Sequence, residues 1–189
     1  MVTKMASVSE RLYKQLLAFG LVGSLAVTGA YLTAPAETPG GLPTLTTYLD
    51  TGGVPTNCYG HTGPDVVLGQ KLTEEQCVAS FAADLLKHDK QLRSVAKGKF
   101  VSDWEYAAML DFTYNKGVGN LATSTMLVYF NRGQHDLVCD ELLKWVYGKD
   151  RQGNKVKIKG LVNRASNEWK WCMGQVPQEV KDVMKNATK

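Results

Sequence analysis

The chain has 189 residues, of which 44% are hydrophobic and 21% charged, and its formal net charge at pH 7 is +4. This composition is typical of one folded domain with an extension, and it excludes an intrinsically disordered chain. So small a charge does not indicate a nucleic-acid-binding face, although it is compatible with an anionic polymer such as a cell wall. We therefore expect no nucleic-acid partner, and nothing in the composition calls for a cofactor.

The first element is an uncharged segment of nineteen residues, 16–34, which follows three basic residues, Lys4, Arg11 and Lys14. This order is typical of an export signal or a membrane anchor whose basic end stays in the cytoplasm. Ten of the nineteen residues are small or hydroxylic, so a helix made from them gains less in hydrocarbon than a leucine-rich one. Three outcomes stay open: cleavage near Ala34-Pro35-Ala36, permanent anchoring, or departure from the bilayer. The basic flank argues against a fourth, a buried helix of a soluble protein.

Next comes a turn-rich segment in which five residues, including Gly52-Gly53, separate Asp50 from Thr56. Glycine takes positive φ at little steric cost, so this dipeptide predicts a tight turn between two short strands. A hairpin there brings Asp50 and Thr56 close across its mouth, where a carboxylate and a hydroxyl can hold a water molecule. The alternative is a surface hairpin in which both are only turn residues.

The remainder of the chain predicts helices. Two capping boxes, Thr73-Glu74-Glu75-Gln76 and Ser102-Asp103-Trp104-Glu105, open a helix through about Lys87 and a second helix that a glycine-rich stretch breaks at 115–120. Further helices are expected over 124–130, from His135 through Trp145, over 161–173 and after Pro177. The polar, lysine-rich residues 148–159 predict a solvated loop, and the tryptophans are expected in the core: Trp104, Trp145, Trp169 and Trp171.

The chain has four cysteines, all beyond the hydrophobic segment: Cys58, Cys77, Cys139 and Cys172. Four cysteines allow three pairings, of which neighbour pairing closes the shortest loops. Their spacing lacks the paired pattern of a zinc site, so no metal is expected. Free buried thiols are the alternative, but export to an oxidising compartment favours disulfides.

Four motifs then occur in order between about residues 48 and 173. They are Tyr48-x-Asp50-x5-Thr56-x-Cys58-x-Gly60-His61-Thr62-Gly63, Leu72-Thr73-x3-Cys77, Phe112-x2-Asn115-x-Gly117-x-Gly119 with Ser124-Thr125-Met126-Leu127, and Gly160-Leu161-Val162-x-Arg164 with Glu168 and Cys172. Together they resemble the phage-type lysozymes, and most closely the lambdoid-phage endolysins with an N-terminal signal-anchor-release segment. The resemblance implies an α+β, mostly α, lysozyme-like fold with a small N-terminal β-hairpin region and a helical lobe, preceded by one hydrophobic helix.

The catalytic pattern of that family is Glu-x8-Asp/Cys-x5-Thr, and its second half matches Asp50 and Thr56. The position of the glutamate holds Gly41, and the nearest upstream carboxyl belongs to Glu37, with twelve residues between it and Asp50. Glycosidic cleavage needs an acid to protonate the leaving oxygen, so Glu37 becomes the candidate acid if residues 38–43 fold back as a longer loop. The alternative is that Glu37 is a solvated linker residue and the fold lacks muramidase activity.

The resemblance implies an endolysin that hydrolyses the β-1,4 bond between N-acetylmuramic acid and N-acetylglucosamine in peptidoglycan. Glu37 is then the general acid, Asp50 the base or electrostatic partner, and Thr56 helps to hold the attacking water, while His61 has a structural role.

For the organisation of the chain, we expect a signal-anchor or export segment at 1–36 and a catalytic domain at 37–189. The protein is expected to be a monomer on the periplasmic face of the inner membrane, held through residues 16–34, and then in the periplasm. Two other classes remain as alternatives, a lysozyme-fold binding or regulatory protein and an anchored cell-wall scaffold.

Overall fold

A computed structural model describes residues 7–50, 52–149 and 152–187, so Lys4 of the basic flank and Thr51 of the predicted turn lie outside the described residues. The chain forms two compact units. The first, here called the hairpin unit, contains the described residues up to Lys87 together with residues 186–187. The second, the helical unit, contains His88–Lys185.

Two helical runs occupy the region for which one hydrophobic helix was expected. Helix α1 (Val8–Ala18) ends where Gly20 adopts φ +84°, and the Leu21 amide then bonds to the Leu16 carbonyl. A residue with positive φ cannot continue a right-handed helix, and glycine adopts this conformation with little strain. Gly20 therefore ends α1. The second run consists of α2 (Gly23–Thr28), a π-helical turn (Gly29–Thr33) and α3 (Ala34–Glu37). Among the described residues, no helix combines the length and the hydropathy needed to cross a membrane.

The hydrophobic segment forms much of the core of the hairpin unit. Leu16, Ala26, Val27 and Leu32 are fully buried. A Cβ on Gly29 would lie 2.5 Å from a methyl carbon of Leu85, so only glycine allows this approach. Most residues from Leu25 to Ala34 are therefore inside the hairpin unit, whereas Leu17, Phe19 and Val22 are 40%, 41% and 73% exposed.

Strands β1 (Thr44–Leu49) and β2 (Pro55–Cys58) form the predicted hairpin. They pair antiparallel, with Tyr48 opposite Thr56 and Leu49 opposite Pro55. On its other edge β1 exchanges backbone hydrogen bonds with residues 69–72. The hairpin is thereby held on both sides.

Helix α4 (Glu74–Val95) begins at the predicted capping box, in which the Gln76 amide donates to Thr73 Oγ1 and the Thr73 amide donates to Gln76 Oε1. The helix runs well past the predicted end near Lys87, because its apolar periodicity continues to a fully buried Leu92. A disulfide between Cys58 and Cys77 joins the end of β2 to the first turn of α4. Neighbour pairing is thus the one formed in this unit.

The helical unit is built on α5 (Asp103–Ala122) and α8 (Lys159–Cys172), which pack against each other. The predicted break within α5 is a single non-helical residue, Gly117, with φ +78° and ψ +155°. The remaining helices are α6 (Thr125–Asn131), α7 (His135–Leu142) and α9 (Gln178–Ala187).

Two local predictions need correction in this unit. Residues 148–159 are not a plain loop, because β3 (Tyr147–Lys149) and β4 (Lys155–Lys157) pair there as a short hairpin. The Lys155 ammonium lies 4.8 Å from the centre of the Tyr147 ring, so part of the lysine-rich character covers an aromatic face. In addition, α7 ends at Leu142 and does not reach Trp145.

Candidate active site

The side chain of Glu37 lies against the loop that follows the β1–β2 hairpin. Glu37 ends α3 and is half-buried. A Cβ built on Gly60 would stand 2.7 Å from Glu37 Oε2 and 3.4 Å from its carboxyl carbon. Gly60 also adopts φ +80°, so both its backbone angle and this close approach require glycine. The carboxyl group of Glu37 is therefore placed in van der Waals contact with the Gly60 backbone.

The turn after α3 accounts for the unusual spacing between Glu37 and Asp50. A 3₁₀ turn at Pro39–Gly41 follows the helix, with Gly40 at φ +69° and Gly41 at φ +71°. Thr38 closes the end of α3 by donating its amide and its hydroxyl to the Ala34 carbonyl. The chain thus reverses direction between α3 and β1, as the prolines and glycines predict.

Asp50 follows β1 and is anchored by the turn that it begins. Its Oδ1 accepts hydrogen bonds of 2.8 Å from the amides of Gly52 and Val54, and its own amide donates to the Val54 carbonyl. Its Oδ2 accepts no hydrogen bond from any other described residue. One carboxylate oxygen of Asp50 thus stabilises the turn, and the other takes no part in it.

The strand register places Asp50 and Thr56 on the same face of the hairpin. Thr56 pairs with Tyr48, two residues before Asp50, which makes Asp50 and Thr56 diagonal neighbours at roughly 7–8 Å between backbone positions. The Thr56 hydroxyl donates to the Val54 carbonyl, so its lone pairs remain to accept a hydrogen bond from water.

His61 holds the loop that carries Gly60. Its backbone exchanges two hydrogen bonds with Asn57, and its ring bonds through Nδ1 to Asp84 Oδ2 at 2.7 Å and through Nε2 to Asp65 Oδ2 at 3.1 Å. Burial alone would lower the pKa of His61, but the hydrogen bonds to Asp65 and Asp84 and their negative charges outweigh it and raise the pKa. His61 therefore has two partners that favour the imidazolium.

The helical unit contains a second group of carboxylates, sealed around an arginine. Arg164 donates to both oxygens of Asp111, at 3.0 and 2.9 Å, and its Nε lies 3.6 Å from Glu168 Oε1. All three side chains are at most 9% exposed. Burial, with the nearby charge of Asp111, raises the pKa of Glu168 well above its usual range.

The remaining cysteines and tryptophans lie in the helical unit. Cys139 and Cys172 form the second disulfide, linking α7 to α8. Trp171 is a buried core residue, as predicted. Trp104, Trp145 and Trp169 are each only half-buried. No group of three or more potential metal ligands is found among the described residues.

The family described as Phage lysozyme matches residues 41–168 of this chain, which is more than half of its length. The chain belongs to the phage lysozyme family. The matched region contains Asp50 and Thr56 but begins after Glu37, so the family match does not reach the candidate acid.

Relatives and solved structures agree with this assignment. A SAR-endolysin of Bacteriophage PS119 is 34% identical over 80% of this chain and 87% of its own length, and one of Pseudomonas phage phiKMV is 34% identical over 83% and 88%. The active form of the P1 phage endolysin Lyz has the same fold, with a TM-score of 0.75 at 21% identity over 92% of this chain and 99% of that one. The predicted lysozyme-like fold, the family and the class of peptidoglycan-degrading glycoside hydrolase are thereby confirmed.

Two parts of the site were not visible in the sequence motifs. Asp84, the shorter-range partner of His61, lies on α4 and carries no motif of its own. Gly60 stood inside a motif, but its role of admitting the Glu37 carboxyl depends on a contact between residues 23 positions apart. A glycine followed by histidine is the only signal that marked this position.

Proposed function

We propose that Glu37 is the general acid of a muramidase that cleaves the β-1,4 bond between N-acetylmuramic acid and N-acetylglucosamine. The observation that supports this choice is the contact of the Glu37 carboxyl with Gly60, one residue before His61. Gly41, which occupies the family spacing, has no side chain to donate a proton. The position of the Glu37 carboxyl beside Gly60 supports its choice as the acid.

In the proposed reaction, Glu37 donates its proton to the glycosidic oxygen as the bond to the leaving sugar breaks. Asp50 accepts a proton through Oδ2 from the attacking water, while its Oδ1 stays fixed by the Gly52 and Val54 amides. The Thr56 hydroxyl oxygen accepts a hydrogen bond from the second O–H of that water, so a water lone pair faces the sugar. Direct attack by water would invert the anomeric configuration.

The acid is tested by Glu37→Gln, which keeps the shape of the side chain and removes the proton. We expect turbidity loss of chloroform-treated Gram-negative cells to slow by about 10²–10⁴-fold, the usual contribution of general acid catalysis. Glu75→Gln, an exposed residue in the first turn of α4, is the matched control and should keep the parental rate. Lysis by Glu37→Gln at the parental rate would eliminate Glu37 as the acid.

A second measurement separates an enzyme from a wall-binding protein. Asp50→Asn should lose activity by a similar factor while both variants still sediment with purified peptidoglycan. If the parent chain binds peptidoglycan without releasing reducing ends, the lysozyme-fold binding alternative replaces the proposed enzyme.

We further propose that residues 16–34 hold the protein in the inner membrane before this fold forms. A continuous helix of these nineteen residues would span about 28 Å, which is close to the thickness of the hydrocarbon core. In the fold described above the helix of these residues is broken at Gly20, and most residues from Leu25 to Ala34 are buried. The two arrangements exclude each other, so the folded hairpin unit corresponds to the released state.

The contacts of α1 indicate what must move on release. Arg11 lies 3.2 Å from Glu74 Oε1 at the start of α4, and Gln15 donates to the same oxygen. Basic residues before a membrane segment stay on the cytoplasmic side, where a negative-inside potential holds each charge by roughly 2.3 kcal/mol per 100 mV. Loss of the potential removes this barrier, and docking of Arg11 on Glu74 favours the folded state.

Gly29 offers a test of the release step. Gly29→Leu adds apolar area to the membrane segment and places a side chain where Leu85 packs, so it should stay in the membrane fraction after depolarisation. Gly20→Leu adds the same side chain to the segment at a position with no atom within 4 Å, although its φ of +84° costs about 1–2 kcal/mol. It should still be released. Equal release of both variants would contradict the proposal, as would a parent chain that is soluble before depolarisation.

A further inference from the structure

A cavity of about 380 Å³ lies in the helical unit, outside the candidate active site. It opens beside the Cys139–Cys172 disulfide, between the start of α5 and the start of α7. None of the proposed catalytic side chains lines it. The volume falls within the usual range of small-ligand sites, and the lining is mainly apolar with a few polar groups, which is also typical of such sites.

The floor of the cavity is a buried carboxylate that orients a histidine. Glu105 is 2% exposed, and its Oε1 lies 2.7 Å from His135 Nδ1 while its Oε2 accepts from the Val101 amide. Both carboxylate oxygens are thus occupied by the protein. Each oxygen of the buried carboxylate therefore has a hydrogen-bond partner within the protein, and neither requires a ligand to satisfy it.

Two polar atoms of the lining have no partner among the described residues. His135 bonds through Nδ1 alone, and the Trp104 indole N–H makes no hydrogen bond. Both atoms are accessible to solvent, because the buried side-chain polar atoms without a partner do not include them. Gly174, whose Cβ would lie 3.5 Å from the Trp104 ring, leaves the edge of the indole uncovered. The cavity therefore offers one donor and one imidazole nitrogen at fixed positions.

The rim adds a carboxylate and an apolar surface. Asp136 is exposed in the first turn of α7, and it makes no hydrogen bond or ion pair with a described residue. Met173 is 51% exposed, and the disulfide between Cys139 and Cys172 supplies a further apolar wall. A ligand with both a methyl group and several hydroxyl groups would use all of these contacts.

We infer that this cavity binds one N-acetylhexosamine residue of a glycan strand, as a site separate from the one that cleaves it. The acetyl carbonyl accepts from the Trp104 N–H, the acetyl methyl packs against Met173 and the disulfide, and sugar hydroxyls bond to His135 Nε2 and Asp136. The choice of sugar rests on the proposed muramidase function. Such a site would keep the enzyme on its polymeric substrate between cleavage events, because a second attachment raises the effective concentration of the first.

The test uses full-length Glu37→Gln protein and two probes, chitotriose and the peptide L-Ala-γ-D-Glu-L-Lys. We expect chitotriose to shift the NMR signals of the Trp104 indole N–H and of the Asp136 and Gly174 amides, with a dissociation constant on the order of 1 mM. Shifts confined to the hairpin unit would overturn the inference. Shifts at Trp104 with the peptide and none with chitotriose would also overturn it, in favour of a stem-peptide site.

A matched pair of variants separates binding in the cavity from general effects. Asp136→Ala removes a rim carboxylate and should weaken chitotriose binding at Trp104 by about 3–10-fold, equivalent to the roughly 1 kcal/mol of one hydrogen bond. Asp103→Ala removes the corresponding first-turn aspartate of α5, which does not line the cavity, and should leave the affinity unchanged. Equal affinities of the two variants would overturn the assignment. Cleavage of peptidoglycan is measured separately, with protein that keeps Glu37. The binding result therefore does not depend on whether the proposed catalysis is confirmed.

Discussion

The two units each place a glutamate close to other polar groups, and the two glutamates differ in what their surroundings allow. Glu37 in the hairpin unit is half-buried and touches the backbone of Gly60. Glu168 in the helical unit is 2% exposed and lies with Asp111 around the single guanidinium of Arg164. The first side chain is partly exposed and has a glycine beside it, whereas the second is buried beside other charged side chains.

This difference in exposure makes Glu37 suited to proton transfer, whereas Glu168 is part of the buried core of the helical unit. A general acid has to reach a substrate oxygen and exchange its proton within each turnover, which requires access. Glu168 meets neither condition, although its pKa is strongly raised by burial and by Asp111. A perturbed pKa alone would therefore point to the wrong glutamate in this protein. Four predictions test the contrast.

The largest effect is expected from Asp111→Asn in the helical unit. It replaces the carboxylate that receives two hydrogen bonds from the buried Arg164, and it leaves that guanidinium without a full counter-charge. Breaking a buried ion pair from one side costs about 3–5 kcal/mol of the free energy of unfolding. Urea unfolding at pH 7 measures this loss. Glu37→Gln, measured in the same way, should change the stability by less than about 1 kcal/mol, and equal losses in both variants would remove the contrast.

Gly60→Ala tests the placement of the Glu37 carboxyl. The new methyl group would lie 2.7 Å from Oε2, and the flexible end of Glu37 can move away, so the acid is displaced while the fold persists. Displacement by about 1 Å can cost on the order of 10²-fold in rate. Gly69→Ala is the control, because Gly69 has nearly the same φ of +78° and no atom within 4 Å of the added carbon.

Both alanine variants should lose a similar free energy of unfolding, about 1–2 kcal/mol for a left-handed residue. Only Gly60→Ala should then lose lytic activity per folded molecule, measured as turbidity loss. If the two variants retain equal activity, the contact between Glu37 and Gly60 has no part in catalysis.

The imidazole of His61 gives the hairpin unit a pH-dependent contribution to stability. Its pKa is raised in the fold, so the stabilisation is complete below the ordinary value near 6.5 and is lost as the pH rises through the folded value. Asp84→Asn removes the charge that faces Nδ1 at 2.7 Å and should cost about 1.5–3 kcal/mol at pH 5. The cost should shrink by pH 9, as thermal melts at the two pH values would show. Asp65→Asn, at a carboxylate that is 72% exposed, should have the smaller effect. A cost of Asp84→Asn that does not change with pH would contradict this assignment.

Much of the hairpin unit follows from local signals in the sequence. Gly52-Gly53 predicts the turn, the reciprocal capping box at Thr73 predicts the start of α4, and the motif with Asp50 and Thr56 marks one face of the hairpin. These features depend on residues close together in the chain, where turn and capping chemistry decides the conformation.

The parts that the sequence did not predict depend on long-range contacts. The contact of Glu37 with Gly60 requires that the Pro39–Gly41 turn folds back by the right amount, which the composition suggests but does not specify. The break of the hydrophobic segment at Gly20 was missed because a left-handed glycine cap and a glycine within a membrane helix look the same in sequence. Lipid and the core of the hairpin unit are both apolar, so the pattern of residues 16–34 suits either one.

The smallest effect, and one of opposite sign, is expected from Glu168→Gln. The folded state keeps Glu168 protonated to higher pH than the unfolded chain does, so the folded state binds more protons above the unfolded pKa near 4.3. Stability from this group is therefore complete at low pH and declines as the pH rises toward the folded value. Glutamine has the shape of the protonated side chain and can still donate a hydrogen bond to Asp111. The variant should thus be as stable as the parent at pH 4 and slightly more stable at pH 7, measured by urea unfolding. A clear loss of stability at pH 7 would mean that the carboxylate form of Glu168 supports Arg164, and the two glutamates would then differ only in exposure.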